Sequence, residues 1–171
     1  MADAPFIRPA EAADLPAITA IYGYHVLHGT ASFETEPPPL EEMARRHSEV
    51  VRHGLPYLVA ELTGEVVGFA YAAPYRPRPA YRFTVEDSVY IRDDHAGKGL
   101  GRSLLGALLR LCEQAGSKQM IATIGDSQNT ASIRLHRTAG FEHVGVLRNV
   151  GLKFGRWLDT VIMQKALAAS S

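Results

Sequence analysis

The chain has 171 residues, 46% of them hydrophobic, which is the size and apolar content of one domain with one buried core. Eighteen Lys and Arg balance eighteen Asp and Glu at a formal net charge of zero, so the positive field needed to track a phosphate backbone is missing. No apolar run approaches the roughly 20 residues of a membrane span, no basic stretch followed by an apolar one opens the chain, and lone Cys112 can form neither an internal disulfide nor a cysteine zinc site. These features predict a cytoplasmic protein, one domain over residues 1–171, without nucleic-acid or membrane partners.

Phe6–Arg8 reads as a short first strand. Asp14 is placed to cap a helix whose Leu15, Ile18, Ile21, Tyr22 and Val26 recur at helical spacing until Gly29. Thr30 to Pro39, with three consecutive prolines, reads as a loop. A polar, peripheral second helix follows from Leu40 to about His53, closed by Gly54. Tyr57–Leu62 and Glu65–Ala73 are β-prone runs joined by Thr63-Gly64, the pattern of a hairpin. Proline-rich Pro74 to Ala80 is a loop. From Arg82 to Arg92 apolar Phe83, Val85, Val89 and Ile91 alternate with Arg82, Thr84, Glu86, Ser88 and Tyr90, which predicts a central strand with one polar face. A glycine-rich turn leads into a helix with Leu100, Leu104, Leu105, Leu108, Leu111 and Cys112 on its buried stripe, ended by Gly116. A strand at Met120–Ile124, a short helix from Asn129 to Gly140, and strands at Phe141–Leu152 and Trp157–Gln164 complete an α/β layered order, with a frayed tail from Ala166.

The turn Ala96-Gly97-Lys98-Gly99-Leu100-Gly101-Arg102 carries the strongest chemical signal. Alternate glycines let the backbone turn tightly and present N–H groups at a helix N-terminus, where the dipole favours an anion, so a phosphate or pyrophosphate is expected there. A Walker loop would need Ser or Thr after Lys98, where Gly99 stands. A dinucleotide fingerprint would need glycine at position 102 or 104, where Arg102 and Leu104 stand. Ser132, His136 and Asp159 lack the Gly-x-Ser-x-Gly elbow of a hydrolase. His25 and His28 have no third ligand nearby, and no metal is predicted.

Gly97-Lys98-Gly99-Leu100-Gly101, after the strand Ser88-Val89-Tyr90-Ile91 and before an amphipathic helix, resembles the acetyl-CoA signature of the GNAT N-acetyltransferase superfamily. Asn129-x-x-Ser132-x-x-Leu135-His136-x-x-x-Gly140-Phe141 resembles its second cofactor motif, with His136 where many members carry tyrosine. Ser32–Pro37, Thr84–Tyr90 and Lys153–Asp159 are similar to the phosphinothricin and methionine sulfoximine N-acetyltransferase branch; Ala96 departs from the Arg or Gln that usually opens the loop. The resemblance implies a mixed, mostly antiparallel sheet of about seven strands flanked by four helices, with splayed central strands. It also implies acetyl-CoA as co-substrate, bound by Ser88, Val89, Tyr90, Ala96 to Arg102, Asn129 and Ser132. A homodimer formed through the last two strands is expected on the same ground.

Direct acetyl transfer to an amine requires a base, an oxyanion site and a proton for the departing thiolate. Strand parity puts Glu86 with Ser88 and Tyr90 and makes it the expected base, acting directly or through water; a β-bulge at Asp87 would turn Asp87 inward instead. Backbone N–H groups near Val89 are expected to hold the oxyanion, and the resemblance places His136 as the thiolate's proton donor. Tyr75, Arg76, Tyr81 and Arg82 suit a clamp for a substrate carboxylate. The resemblance adds Pro77, Val85, Asp87 and the wall residue Phe33 to the substrate site. The expected acceptor is a small amino acid or a glutamate-like analogue. The alternatives are acetyl transfer to another amine, such as a polyamine, antibiotic or protein N-terminus, and a non-catalytic acyl-CoA-binding module.

Overall fold

Seven strands form one sheet in the order β1-β2-β3-β4-β5-β7-β6, in which only β4 and β5 run parallel. The structure, a computed structural model, describes residues 3–168. The strands are β1 (Phe6–Pro9), β2 (Tyr57–Leu62), β3 (Glu65–Pro74), β4 (Thr84–Ile91), β5 (Gln119–Gly125), β6 (Glu142–Lys153) and β7 (Arg156–Ala166). The helices are α1 (Leu15–His28), α2 (Leu40–Arg52), α3 (Leu100–Gln114) and α4 (Thr130–Thr138).

Alternation along β2 and β3, with a bulge opposite Ala60 and Glu61 that turns Val67 to the other face from Phe69, sends side chains to two separate cores. Tyr57, Val59 and Phe69 meet Ile18, Ile21, Tyr22 and Val26 of α1, with Met43 and Val50 of α2. Leu58, Ala60, Val67, Ala70 and Ala72 meet Leu104, Leu105, Leu108 and Cys112 of α3. Each leucine fully buried in this way contributes about 1.5–3 kcal/mol. The polar helix α2 buries only Met43 and Val50 fully, with Ala44 and the His47 ring, 4.9 Å from Tyr57, packed beside them, and its outer face carries the ion pairs of Arg45 and Arg46 with Glu42. Thr63 (φ 47°) and Gly64 (φ 82°) make the two-residue hairpin turn that the sequence predicts.

Three local expectations are corrected. Asp14 stands at the N-cap of α1 as expected, but its side chain makes no capping hydrogen bond to that helix. The residue ends a 3-10 turn at Ala12–Asp14, and its carboxylate accepts the Glu11 N–H at 2.7 Å and the Arg8 guanidinium at 2.7 and 2.9 Å. The central strand begins at Thr84 rather than Arg82, because Pro79–Tyr81 forms another 3-10 turn and the Arg82 N–H donates to its Pro79 carbonyl. The tail is ordered further than expected: the Leu167 N–H donates to the Lys118 carbonyl and the side chain is buried, while residues 169–171 lie outside the described residues.

Candidate active site

The site originates in a break in the sheet. β4 and β5 pair only at Thr84–Gln119, Val85–Met120 and Glu86–Ile121, and the strands diverge beyond. The Thr84 carbonyl accepts the Tyr75 N–H just past β3 and the Arg92 N–H donates to the Val67 carbonyl, so alternation along an antiparallel pair turns the N–H and C=O of Asp87, Val89 and Ile91 toward the gap. The Ile91 carbonyl is taken by His25 Nε2 at 2.6 Å. The β3–β4 register runs without a shift, so no bulge reverses the parity of Glu86 and Asp87.

A cavity of about 430 Å³ passes through this gap. Tyr22, Ser32, Phe33, Glu34, Glu86 and Ser88 line it from the α1 side, and Asp87, Asn129, Ser132 and His136 from the α4 side. Burial pushes the Glu86 carboxyl above its ordinary range and the charge of Asp87 adds to this, while the Thr123 hydroxyl and Arg76 oppose it. Tyr22 donates to Glu34, which Arg46 grips bidentately at 2.7 and 2.9 Å.

A second, larger cavity of about 880 Å³ adjoins the first, and Ala31, Val89, Tyr90, Asn129 and Ser132 line both. At its far end Gly97 (φ 76°) and Gly99 (φ 80°) hold left-handed conformations, and Gly99 caps the N-terminus of α3. Nothing lies within 4 Å of where a Cβ would stand on either, so no side chain crowds this turn, and the helix N-terminus behind it favours an anion. Arg102, Arg134 and Arg156 add positive charge along the same cavity. A glycine cradle on a helix dipole, flanked by guanidiniums, fits a diphosphate. On α4, the Asn129 side chain accepts the Ser132 N–H at 3.2 Å, so it caps the helix that lies between the two cavities.

The segment 30–34 closes the smaller cavity on the α1 side and is tied from three directions. Thr30 Oγ1 donates to Asp126 at 2.9 Å, Tyr22 and Ser32 share a hydroxyl hydrogen bond at 2.8 Å, and Lys153 Nζ donates to the Ser32 carbonyl at 2.7 Å. Lys153 is 4% exposed, and burial lowers its pKa against the opposing charge of Glu34. Lys153→Met leaves that carbonyl without its charged donor, an interaction class worth about 1.5–3 kcal/mol. The expected result is several-fold weaker binding of a ligand in the smaller cavity, with binding in the larger cavity within about twofold, read from titrations with each ligand in turn.

Residues 20–141 match the acetyltransferase (GNAT) family. The chain belongs to the GNAT acetyltransferase family. Among its relatives, it is 57% identical over 163 residues to a phosphinothricin N-acetyltransferase of Alcaligenes faecalis, covering 95% of this chain and 83% of that protein. It is 47% identical to an L-methionine sulfoximine/L-methionine sulfone acetyltransferase of Pseudomonas aeruginosa, covering 92% of each. A GNAT phosphinothricin acetyltransferase from Sinorhizobium meliloti, solved in complex with AcCoA, superimposes with a TM-score of 0.93 at 47% identity, over 96% of this chain and 89% of that one. The chain is therefore an enzyme of the GNAT fold, with its mostly antiparallel seven-stranded sheet and four helices.

The structure distributes the sequence-predicted site residues unevenly. Val89, Tyr90, Ala96, Gly97, Gly99, Gly101, Arg102, Asn129 and Ser132 line the larger cavity. Ser88 lies on the acceptor side, Lys98 points its side chain to solvent, and Leu100 is buried in the α3 core. Val85 is also a core residue, 3% exposed, and not a wall of the acceptor cavity. Tyr75, Arg76, Pro77, Tyr81 and Arg82 stay outside that cavity. The turn after Arg78 carries Arg82 to the opposite end of β4, beside His53 and Gly116, and only Arg76 comes within electrostatic range of Glu86.

His136 departs most from its expected role. It is buried, Nδ1 lies 2.7 Å from the Ser132 carbonyl, and Nε2 lies 2.7 Å from Asp87 Oδ2, so neither nitrogen is free to reach a sulfur atom. Arg134, Arg156, Lys153 and Thr123 have no site role assigned from the sequence, although Lys153 and Arg156 stand in the Lys153–Asp159 segment that carries the branch resemblance. Helical spacing within the second motif was a signal for Arg134; the others reach the site through pairings distant in sequence.

Proposed function

We propose that this GNAT enzyme transfers the acetyl group of acetyl-CoA to the α-amine of a small amino acid or glutamate-like analogue, of the kind named for its relatives: phosphinothricin, methionine sulfoximine or methionine sulfone. The observation that carries the reading is the opening through the sheet between β4 and β5. It joins a glycine cradle suited to a diphosphate on one side to a carboxylate-bearing acceptor cavity on the other. Glu86 removes the proton from the acceptor ammonium. The Val89 N–H, turned into the gap, receives the oxyanion as the amine attacks the thioester. Arg76, the loop arginine nearest Glu86, draws in the acceptor carboxylate. Acetylation blocks the amine of such an analogue, so we further propose that the enzyme acts in the cytoplasm and confers resistance to these compounds.

The test is thiol release from acetyl-CoA against phosphinothricin, methionine sulfoximine, methionine sulfone, the standard amino acids, spermidine and a peptide. Turnover is expected on the glutamate analogues. Turnover confined to spermidine or peptide overturns the acceptor class, and coenzyme binding without thiol release on any acceptor makes the chain an acyl-CoA-binding module.

We also propose a homodimer formed through β6 and β7. Val144, Leu147, Val150, Leu152, Phe154 and Trp157 of this hairpin are exposed, Trp157 at 64%, an apolar surface of the kind that pairs subunits. Trp157→Arg is expected to shift the protein from dimer to monomer in light scattering; a wild-type monomer at micromolar concentration overturns the assignment.

A further inference from the structure

We propose that Asp87 is a positioning residue for acetyl transfer: by receiving Nε2–H of His136 it holds that ring doubly protonated, as a fixed cation beside the leaving sulfur rather than a carrier of protons. The proposal rests on the acetyl-transfer reading above and assigns the pair a part in it.

The argument starts from what each partner can accept. A carbonyl oxygen has no proton to give, so the 2.7 Å contact with Ser132 requires a hydrogen on His136 Nδ1. The contact spans four residues of α4, and the ring edge packs against Phe141 at 4.9 Å and 87°, so the imidazole has one orientation. Nε2 then faces Asp87 Oδ2 at 2.7 Å, with the two side chains 5% and 1% exposed. A bare Nε2 and a carboxylate would set lone pairs against each other, so one proton lies between them. An imidazole is a stronger base than a carboxylate, by about 6.5 against 3.9 in unperturbed pKa. The proton belongs to the ring, and the carboxylate's hydrogen bond and charge raise the His136 pKa against the opposing cost of burial.

Asp87 Oδ1 is buried and has no hydrogen-bond donor, so the carboxylate charge depends on the imidazolium for compensation. The titratable groups that feel the charge of Asp87 are Glu86 and Tyr90, on the opposite face of β4, and Cys112 on α3, whose thiol burial and Asp87 push up to about 12. His136 lines the acceptor cavity next to Ser132 and Asn129, where the two cavities meet. A cation there lowers the energy of a thiolate leaving from the thioester, and no proton needs to move from the ring.

The wild-type protein, free of substrate and ¹⁵N-labelled at histidine, supplies the first test. Both ring nitrogens of His136 are expected to stay protonated at pH values where exposed histidines have lost a proton; one unprotonated nitrogen at pH 7.5 overturns the proposal whatever the enzyme acetylates. In Asp87→Asn the ring is expected to become an ordinary histidine. kcat is expected to fall at least about tenfold with both KM values within about twofold. The rate is expected to decline as pH rises through about 6.5, where the cation is lost. An Asp87→Asn enzyme with unprotonated His136 and unchanged kcat overturns it. Should that variant fail to fold, the wild-type spectrum still decides. A wild type that acetylates no amine sinks the acetyl-transfer reading and leaves the spectrum to judge the shared proton.

Discussion

Glu86→Gln is expected to lower kcat by about 10²–10⁴-fold, the usual contribution of a positioned general base, with both KM values within about twofold. Gln fills the same space and keeps a hydrogen-bonding end for Thr123, so the cavity retains its shape while losing its proton acceptor. Initial rates of thiol release, with each substrate varied in turn, make the measurement. A variant within threefold of wild type would remove Glu86 from the proton-transfer step.

The pH dependence follows from the direction of the shift. Burial raises the Glu86 pKa above the ordinary glutamate range, about 4.3, and Asp87 one residue away adds to it. Below the raised pKa Glu86 carries a proton and cannot accept another. The wild-type kcat/KM is therefore expected to fall as pH is lowered through that value. Glu86→Gln is expected to lose this acidic limb, and its residual rate to climb with pH as more of the acceptor amine is neutral in solution.

What the sequence reveals and conceals about this site divides along the range of its signals. Period-two alternation from Phe83 to Ile91 and the helical stripe from Leu100 to Cys112 are local patterns, and the strand and helix they predict are present as β4 and α3. The separation of β4 from β5 after Glu86 has no such pattern, because periodicity reports which face of a strand is buried and not which neighbour it keeps. The family resemblance carried that expectation. The Asp87–His136 bond spans 49 residues and the Lys153–Ser32 bond spans 121, beyond the reach of any spacing rule. The loop from Tyr75 to Arg82 shows the opposite failure: its arginines and aromatics suit a carboxylate clamp chemically, yet the Pro79–Tyr81 turn carries Arg82 away from the cavity. Composition identifies what a loop can bind, and backbone geometry decides where it does so.

Gly125→Ala is expected to raise the KM for both substrates by about tenfold and to lower stability by about 1–3 kcal/mol, the range for overpacking a filled site. A Cβ on Gly125 would stand 2.5 Å from the Thr30 carbonyl, 3.1 Å from the Ala31 carbonyl and 2.9 Å from the Phe33 ring. Two of these neighbours are backbone atoms, so relief requires the whole segment 30–33 to move. That segment is held by Asp126 through Thr30 and by Tyr22 and Lys153 through Ser32, and those bonds must stretch as it shifts outward. Ala31 lines both cavities and Phe33 the acceptor cavity, so the displacement reaches both substrates together, unlike Lys153→Met. Gly145→Ala is the control. Nothing lies within 4 Å of its Cβ position, and neither kinetic constant nor melting temperature is expected to change. A Gly125→Ala enzyme that melts early yet keeps both KM values would show that the segment braces the fold without shaping the site. Raised KM values with the melting loss would identify the end of β5 as the stop against which the acceptor wall is set.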